Sequence, residues 1–117
     1  MFKIWEELQL EANVHSMYNI LQLLFTATKW GIIMQQFMRK FEQLNGVEAN
    51  VTLEHCLFDK QRFYCLQLQT VNDDEKIGVT LKGHEIFVYK YDVKIAENSG
   101  DAYILSDGKL TIIVNRM

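Results

Sequence analysis

The hydrophobic period of this chain changes at Asn45-Gly46, and nothing else constrains its fold as strongly. Upstream, the sequence is rich in Leu, Met, Gln, Glu and Phe, with apolar residues three and four apart. That is a helical spacing. Downstream, Val, Ile, Thr and Tyr alternate with polar residues between turn signals, the pattern of strands. Helices first and strands afterwards predict an α+β domain, not alternating βαβ units. The 117 residues contain no proline, repeat or linker-like segment. They read as a single domain, 1–117, helical over 1–45 and an antiparallel sheet over 49–115.

Turn signals divide the second half. Asn50–Phe58 and Arg62–Val71 flank Asp59-Lys60-Gln61. Asn72-Asp73-Asp74-Glu75 precedes Ile77–Lys82, and Gly83 turns the chain into Glu85–Ile95. After the loop Asn98-Ser99-Gly100-Asp101, Ala102–Ser106 and Lys109–Asn115 flank Asp107-Gly108, the strongest hairpin signal present. Connections this short force antiparallel neighbours, so a meander of five or six strands is expected. Ile77, Val79 and Leu81 mark one clean apolar face, and Leu110, Ile112 and Val114 another. Glu85–Ile95 is less tidy: Phe87, Tyr89, Tyr91, Val93 and Ile95 share one face, with Ile86 and Val88 opposite. Arg62–Val71 likewise sets Phe63, Cys65 and Val71 against Tyr64, Leu66 and Leu68. A sheet under one layer of helix needs only one apolar face. Either the sheet curls over itself or a partner covers its second face.

The helical half has its own excess. From Val14 to Phe25 the apolar side chains occupy roughly 220° of the helical wheel. From Trp30 to Leu44 the face is narrower: Trp30, Ile33, Met34, Phe37, Met38, Phe41 and Leu44, opposite Gln35, Gln36, Arg39, Lys40, Glu42 and Gln43. On one straight helix the two faces would differ by roughly 120°. Thr26, Thr28 and Gly31 are the weakest helix formers nearby. The reading is therefore an αα hairpin broken near 26–31, with helices near 2–27 and 30–45, packed on the sheet. The alternative is one continuous helix with a face for a second subunit. Leu10, Val14, Met17, Leu21 and Leu24 follow the spacing of a coiled-coil seam, but for only about two heptads.

The chemistry-bearing residues are sparse. His15, His55 and His84 with Cys56 and Cys65 are the soft ligands, and no CxxC, HxxxH or HExxH spacing joins them. His55 and Cys56 are adjacent, so on a strand they would point to opposite faces. The two cysteines read as reduced and buried. Asp73-Asp74-Glu75 reads as a solvated turn, lacking the spacing of a calcium loop. The glycines form no phosphate-cradling motif, and no cofactor is implied. Lys82, Lys90 and Lys94 lie near Phe87, Tyr89 and Tyr91. Glu85, Asp92 and the net charge of −3 argue against nucleic acid as a partner.

Met17 to Phe41 is too polar to span a bilayer, and the acidic N-terminus resembles no targeting peptide. A cytoplasmic protein with no membrane contact is expected. Without a catalytic constellation, the reading leans away from an enzyme. It favours a small inhibitor, adaptor or regulator that binds another protein and forms a homodimer. The candidate contact residues are Leu21, Leu24, Phe25, Trp30, Phe87, Tyr89 and Tyr91, because aromatic residues and Met are enriched at interfaces. The alternative is a small-molecule-binding domain or enzyme with an apolar cup between sheet and helices, its polar groups His55, His84 and Tyr64.

Overall fold

The computed structural model describes residues 29–117. The chain divides into two units, Met1–Met34 and Gln35–Met117. One helix, α1, covers residues 29–42. Its residues 29–34 belong to the first unit, where Trp30, Ile32 and Ile33 are exposed. The chain is already helical at residues 29–31, so no turn interrupts that part of the expected break. The remainder of the break, the helix expected near 2–27, and Leu21, Leu24 and Phe25 lie outside the described residues.

Within the second unit, α1 buries Phe37 and Phe41, and the following turn buries Leu44. Those positions are four and three apart, the stripe of a one-sided helix. Phe37 and Phe41 stack with ring centres 5.6 Å apart. Both meet Tyr103 edge-on, at 6.3 and 6.4 Å. The helix ends three residues before the expected 45. The Leu44 and Asn45 N–H groups bond back to the Phe41 and Glu42 carbonyls, tightening the last turn.

The strands are β1 (Ala49–His55), β2 (Phe58–Cys65), β3 (Gln69–Asn72), β4 (Lys76–Leu81), β5 (His84–Tyr89), β6 (Ile95–Ser99), β7 (Ala102–Ser106) and β8 (Leu110–Arg116). The expected α+β class and antiparallel pairing hold throughout. The expected five-stranded antiparallel sheet is present, in the order β2-β1-β8-β7-β6, and the remaining strands add a second sheet, β3-β4-β5.

Two predicted strands each divide between the sheets. Arg62–Val71 breaks at 66–68, where the Leu68 backbone leaves the ladder. Its N–H donates to Val47 and its carbonyl accepts the Gly46 N–H. Leu66 is left exposed while Leu68 is fully buried. Glu85–Ile95 breaks at a 3-10 turn, Lys90–Asp92, where the Lys90 N–H donates to the Glu75 carbonyl. Val93 turns inward and Ile95 outward, so the five-residue face expected there does not exist.

The expected turn at Asp59-Lys60-Gln61 is also displaced. Those residues lie within β2, and the chain reverses at Cys56-Leu57. Here the Leu57 N–H donates to His55 Nδ1 at 3.1 Å. Lys60 reaches back across the pair to Glu54 at 3.0 Å. The register shifts between Leu53 and His55, a bulge of the kind that bends a strand.

In the five-stranded sheet the registers sort the side chains cleanly. Val51, Val114 and Tyr103 lie in one row, and Leu53, Ile112, Leu105 and Ala96 in the next. Of these only Leu53 is less than buried. Their face is the one that meets Phe37 and Phe41. The opposite face carries Asn50, Thr52, Glu54, Arg62, Tyr64 and Asn115 among half-buried Ile104 and Ile113. This sheet is therefore apolar on one side, and the apparent two-sidedness came from joining strands that belong to different sheets.

Two hairpins share one device. Asp73 Oδ1 accepts the N–H groups of Glu75 and Lys76 at 2.8 and 2.7 Å. Asp107 Oδ1 accepts those of Lys109 and Leu110 at 2.8 and 2.7 Å. At Asp73 these backbone bonds hold the carboxyl below its ordinary range. At Asp107, partial burial pushes the carboxyl up, but the backbone bonds outweigh it and the net shift is again downward. A carboxyl depressed in the folded state stabilises fully above its unfolded pKa, about 4, and loses that contribution as pH falls through the lower folded value. Thermal midpoints should therefore fall with pH below about 4. The Asp73→Asn, Asp107→Asn double variant, which keeps a side-chain acceptor in each turn, should lose less over that range. Identical pH profiles for the two proteins would refute this role.

Candidate interaction surface

The expected aromatic row is present, although the strand that was to carry it is not. Phe87 and Tyr89 sit two apart on β5 and therefore share a face. Their rings meet edge-to-face at 5.4 Å. The chain then enters the 3-10 turn, which returns Tyr91 over Tyr89 in a near-parallel stack at 5.3 Å and 16°. Three of the seven candidate residues are thus in contact. Trp30 is exposed in the other unit, and Leu21, Leu24 and Phe25 lie outside the described residues.

The row faces solvent. Tyr91 is 76% exposed and Tyr89 37%, with Phe87 half-buried. Lys76, cross-strand from Tyr89, lays its ammonium over the Phe87 ring at 4.5 Å. That is cation–π distance, and it fixes a positive charge at one end. Partial desolvation raises the Tyr91 phenol above its ordinary pKa, and the charge of Asp92, Tyr89 and Glu75 adds to the rise. The phenol stays protonated at neutral pH and can donate a hydrogen bond. Lys90 and Asp92 flank Tyr91 in sequence, and the Lys90 N–H bonds the Glu75 carbonyl. The rim of the row therefore carries both signs of charge.

The other candidate groups assemble differently from the sequence reading. Cys56 is exposed and Cys65 half-buried, not both buried. Burial raises the Cys65 thiol pKa, which makes it less reactive. Cys56 lies in the turn, not on the strand, so it does not point away from His55. Its sulfur is 3.9 Å from His55 Nδ1. That nitrogen already accepts the Leu57 N–H, so its lone pair is not free to take a proton from the thiol. Among the described residues, no three His, Cys, Asp or Glu side chains gather as a metal site. Two open clefts, of about 450 and 470 Å³, flank Tyr64, and neither is lined by His55 or His84.

Three features escaped sequence reading. The apolar tip of the β1–β2 hairpin leaves Leu57 79% and Phe58 69% exposed; a turn placed at 59–61 hid it. The cation at Phe87 depends on cross-strand register, which the displaced boundaries obscured. Gly78 sits buried in the middle of β4, and an isolated glycine inside a strand pattern is itself a signal of close backbone approach.

No protein-family model matches the chain, and comparison with curated proteins and with solved structures finds no match. No helix among the described residues is long and apolar enough to cross a membrane.

Proposed function

We propose that this is a non-enzymatic protein–protein interaction module, a small cytoplasmic inhibitor, adaptor or regulator that binds another protein and pairs with a second copy of itself. The observation that carries the reading is the solvent-exposed contact row Phe87–Tyr89–Tyr91. Tyrosine provides large contact area with few rotors to freeze, and aromatic residues dominate interface energetics. The mixed rim supports a homodimer. A two-fold interface must complement itself, and Lys76 and Lys90 of one copy can meet Glu75 and Asp92 of the other.

Light scattering across a concentration series tests this. The wild-type chain should shift from monomer to dimer, and added salt should weaken the dimer. Tyr89→Glu with Tyr91→Glu should cost at least about 2 kcal/mol of association, roughly thirtyfold. Its thermal midpoint should stay near wild type, since both side chains are exposed. A monodisperse monomer at high concentration, unaltered by these substitutions, would overturn the reading.

A further inference from the structure

The outer edge of β2 is a second surface, remote in sequence from the aromatic row. β2 is a terminal strand of the five-stranded sheet, so alternate N–H and C=O groups along it have no strand partner among the described residues. Five of its eight residues in succession, Phe58–Arg62, are exposed. An open cleft of about 450 Å³ runs along Arg62–Cys65. Its far wall is the end of the three-stranded sheet: Gln69, Thr80 and the Lys82-Gly83 turn. Four consecutive residues of β2, whose side chains alternate between its two faces, line this one cleft, so the cleft follows the strand's edge. Among the described residues, the cleft's only charged side chains are Arg62 and Lys82, both cations. Neither joins an ion pair among the described residues. Lys82 is held at a positive φ of 51°, with its ammonium 5.7 Å over the Phe63 ring, beside the strand edge.

We propose that this edge takes an extended, acidic segment of another protein as an added strand of the five-stranded sheet. Strand addition draws affinity from main-chain hydrogen bonds and specificity from the alternate side chains. The charges discriminate between occupants. A second copy of β2, pairing antiparallel about Gln61, would set Lys60 opposite Arg62. Pairing about Lys60 or Arg62 would set that residue opposite itself. Like charges directly opposite are destabilising, so the edge resists its own copy. A segment with Glu or Asp at neighbouring positions, one side chain to each face, meets Arg62 and Lys82 instead. This assignment is independent of the aromatic row, and its test reads different residues.

The probe is a blocked peptide of alternating Glu-Glu and Val-Val pairs, titrated into the ¹⁵N-labelled chain. Amide shifts should concentrate at Arg62–Cys65 and at Lys82-Gly83. The same peptide methylated at every internal amide nitrogen cannot donate to the edge, and should bind at least about tenfold more weakly. A peptide with Lys in place of Glu should lose a similar factor, about tenfold. So should the Arg62→Gln, Lys82→Gln double variant, whose altered side chains are both exposed. The peptide comparisons use only the wild-type chain, so a folding defect in the variant cannot hide the answer. The proposal fails if the methylated or the lysine peptide binds as well as the acidic one. It fails equally if the shifts fall elsewhere, or if none appears at millimolar peptide.

Discussion

Gly78→Ala is expected to destabilise the fold severely, although it adds a single methyl group. The new Cβ would lie 2.0 Å from the Ile86 carbonyl oxygen and 2.6 Å from the Phe87 Cα. Both obstacles are backbone of the paired strand β5, so no rotamer change relieves them. Gly78 is buried in the central strand of the three-stranded sheet, opposite Phe87 on β5 and Val71 on β3. Moving β5 away would therefore break the ladder on one side and shift the base of the aromatic row. Overpacking a core usually costs 1–3 kcal/mol, so about 3 kcal/mol or more is expected where only backbone can yield. For a domain of this size, that lowers the thermal midpoint by roughly 10–20 °C. Gly31→Ala is the internal control: none of the described residues lies within 4 Å of a Cβ there, and in a helix alanine is favoured over glycine by about 1 kcal/mol. A Gly78→Ala midpoint within a few degrees of wild type would refute the close approach of β4 and β5.

The α+β order was legible because it rests on period alone. Met34, Phe37, Phe41 and Leu44 announce a one-sided helix, and all four are buried. Ile77, Val79, Leu81, Ile112 and Val114 announce inward strand faces, and these too are buried. Strand ends were less legible because non-local bonds set them. Leu68 is pulled off its strand by the 46–47 backbone, and Lys90 by the Glu75 carbonyl. No local propensity encodes either contact. The β1–β8 pairing that unites the ends of the strand region lay equally beyond reach. The aromatic row survived a wrong strand assignment for a physical reason. Alternation put Phe87 and Tyr89 on one face, and the unforeseen 3-10 turn then stacked Tyr91 onto Tyr89. The cleft along β2 could not be read at all. It arises where two sheets end beside one another, and the sequence reading had only one sheet.

Phe41→Ala should be the most damaging truncation on α1. Its side chain is fully buried, stacked on Phe37 and edge-on to Tyr103. Removing it deletes one ring from two aromatic pairs and leaves a void over the sheet. Neighbours can collapse only partly into such a space, so the loss is about 3–5 kcal/mol. A native domain has only about 5–15 kcal/mol in total. In urea, with a slope of roughly 1–3 kcal/mol per molar for small proteins, the midpoint should fall by more than about 1 M. Phe41→Leu fills most of the void and should lie between the two proteins. Gln43→Ala, two residues on and exposed just past the end of α1, should stay within about 0.5 kcal/mol of wild type. The ordering distinguishes core packing from helix propensity. Alanine and leucine are both better helix formers than phenylalanine, so if α1 were held by propensity alone, neither Phe41 variant would lose stability. If it is held by the three rings, both lose it, and alanine loses more.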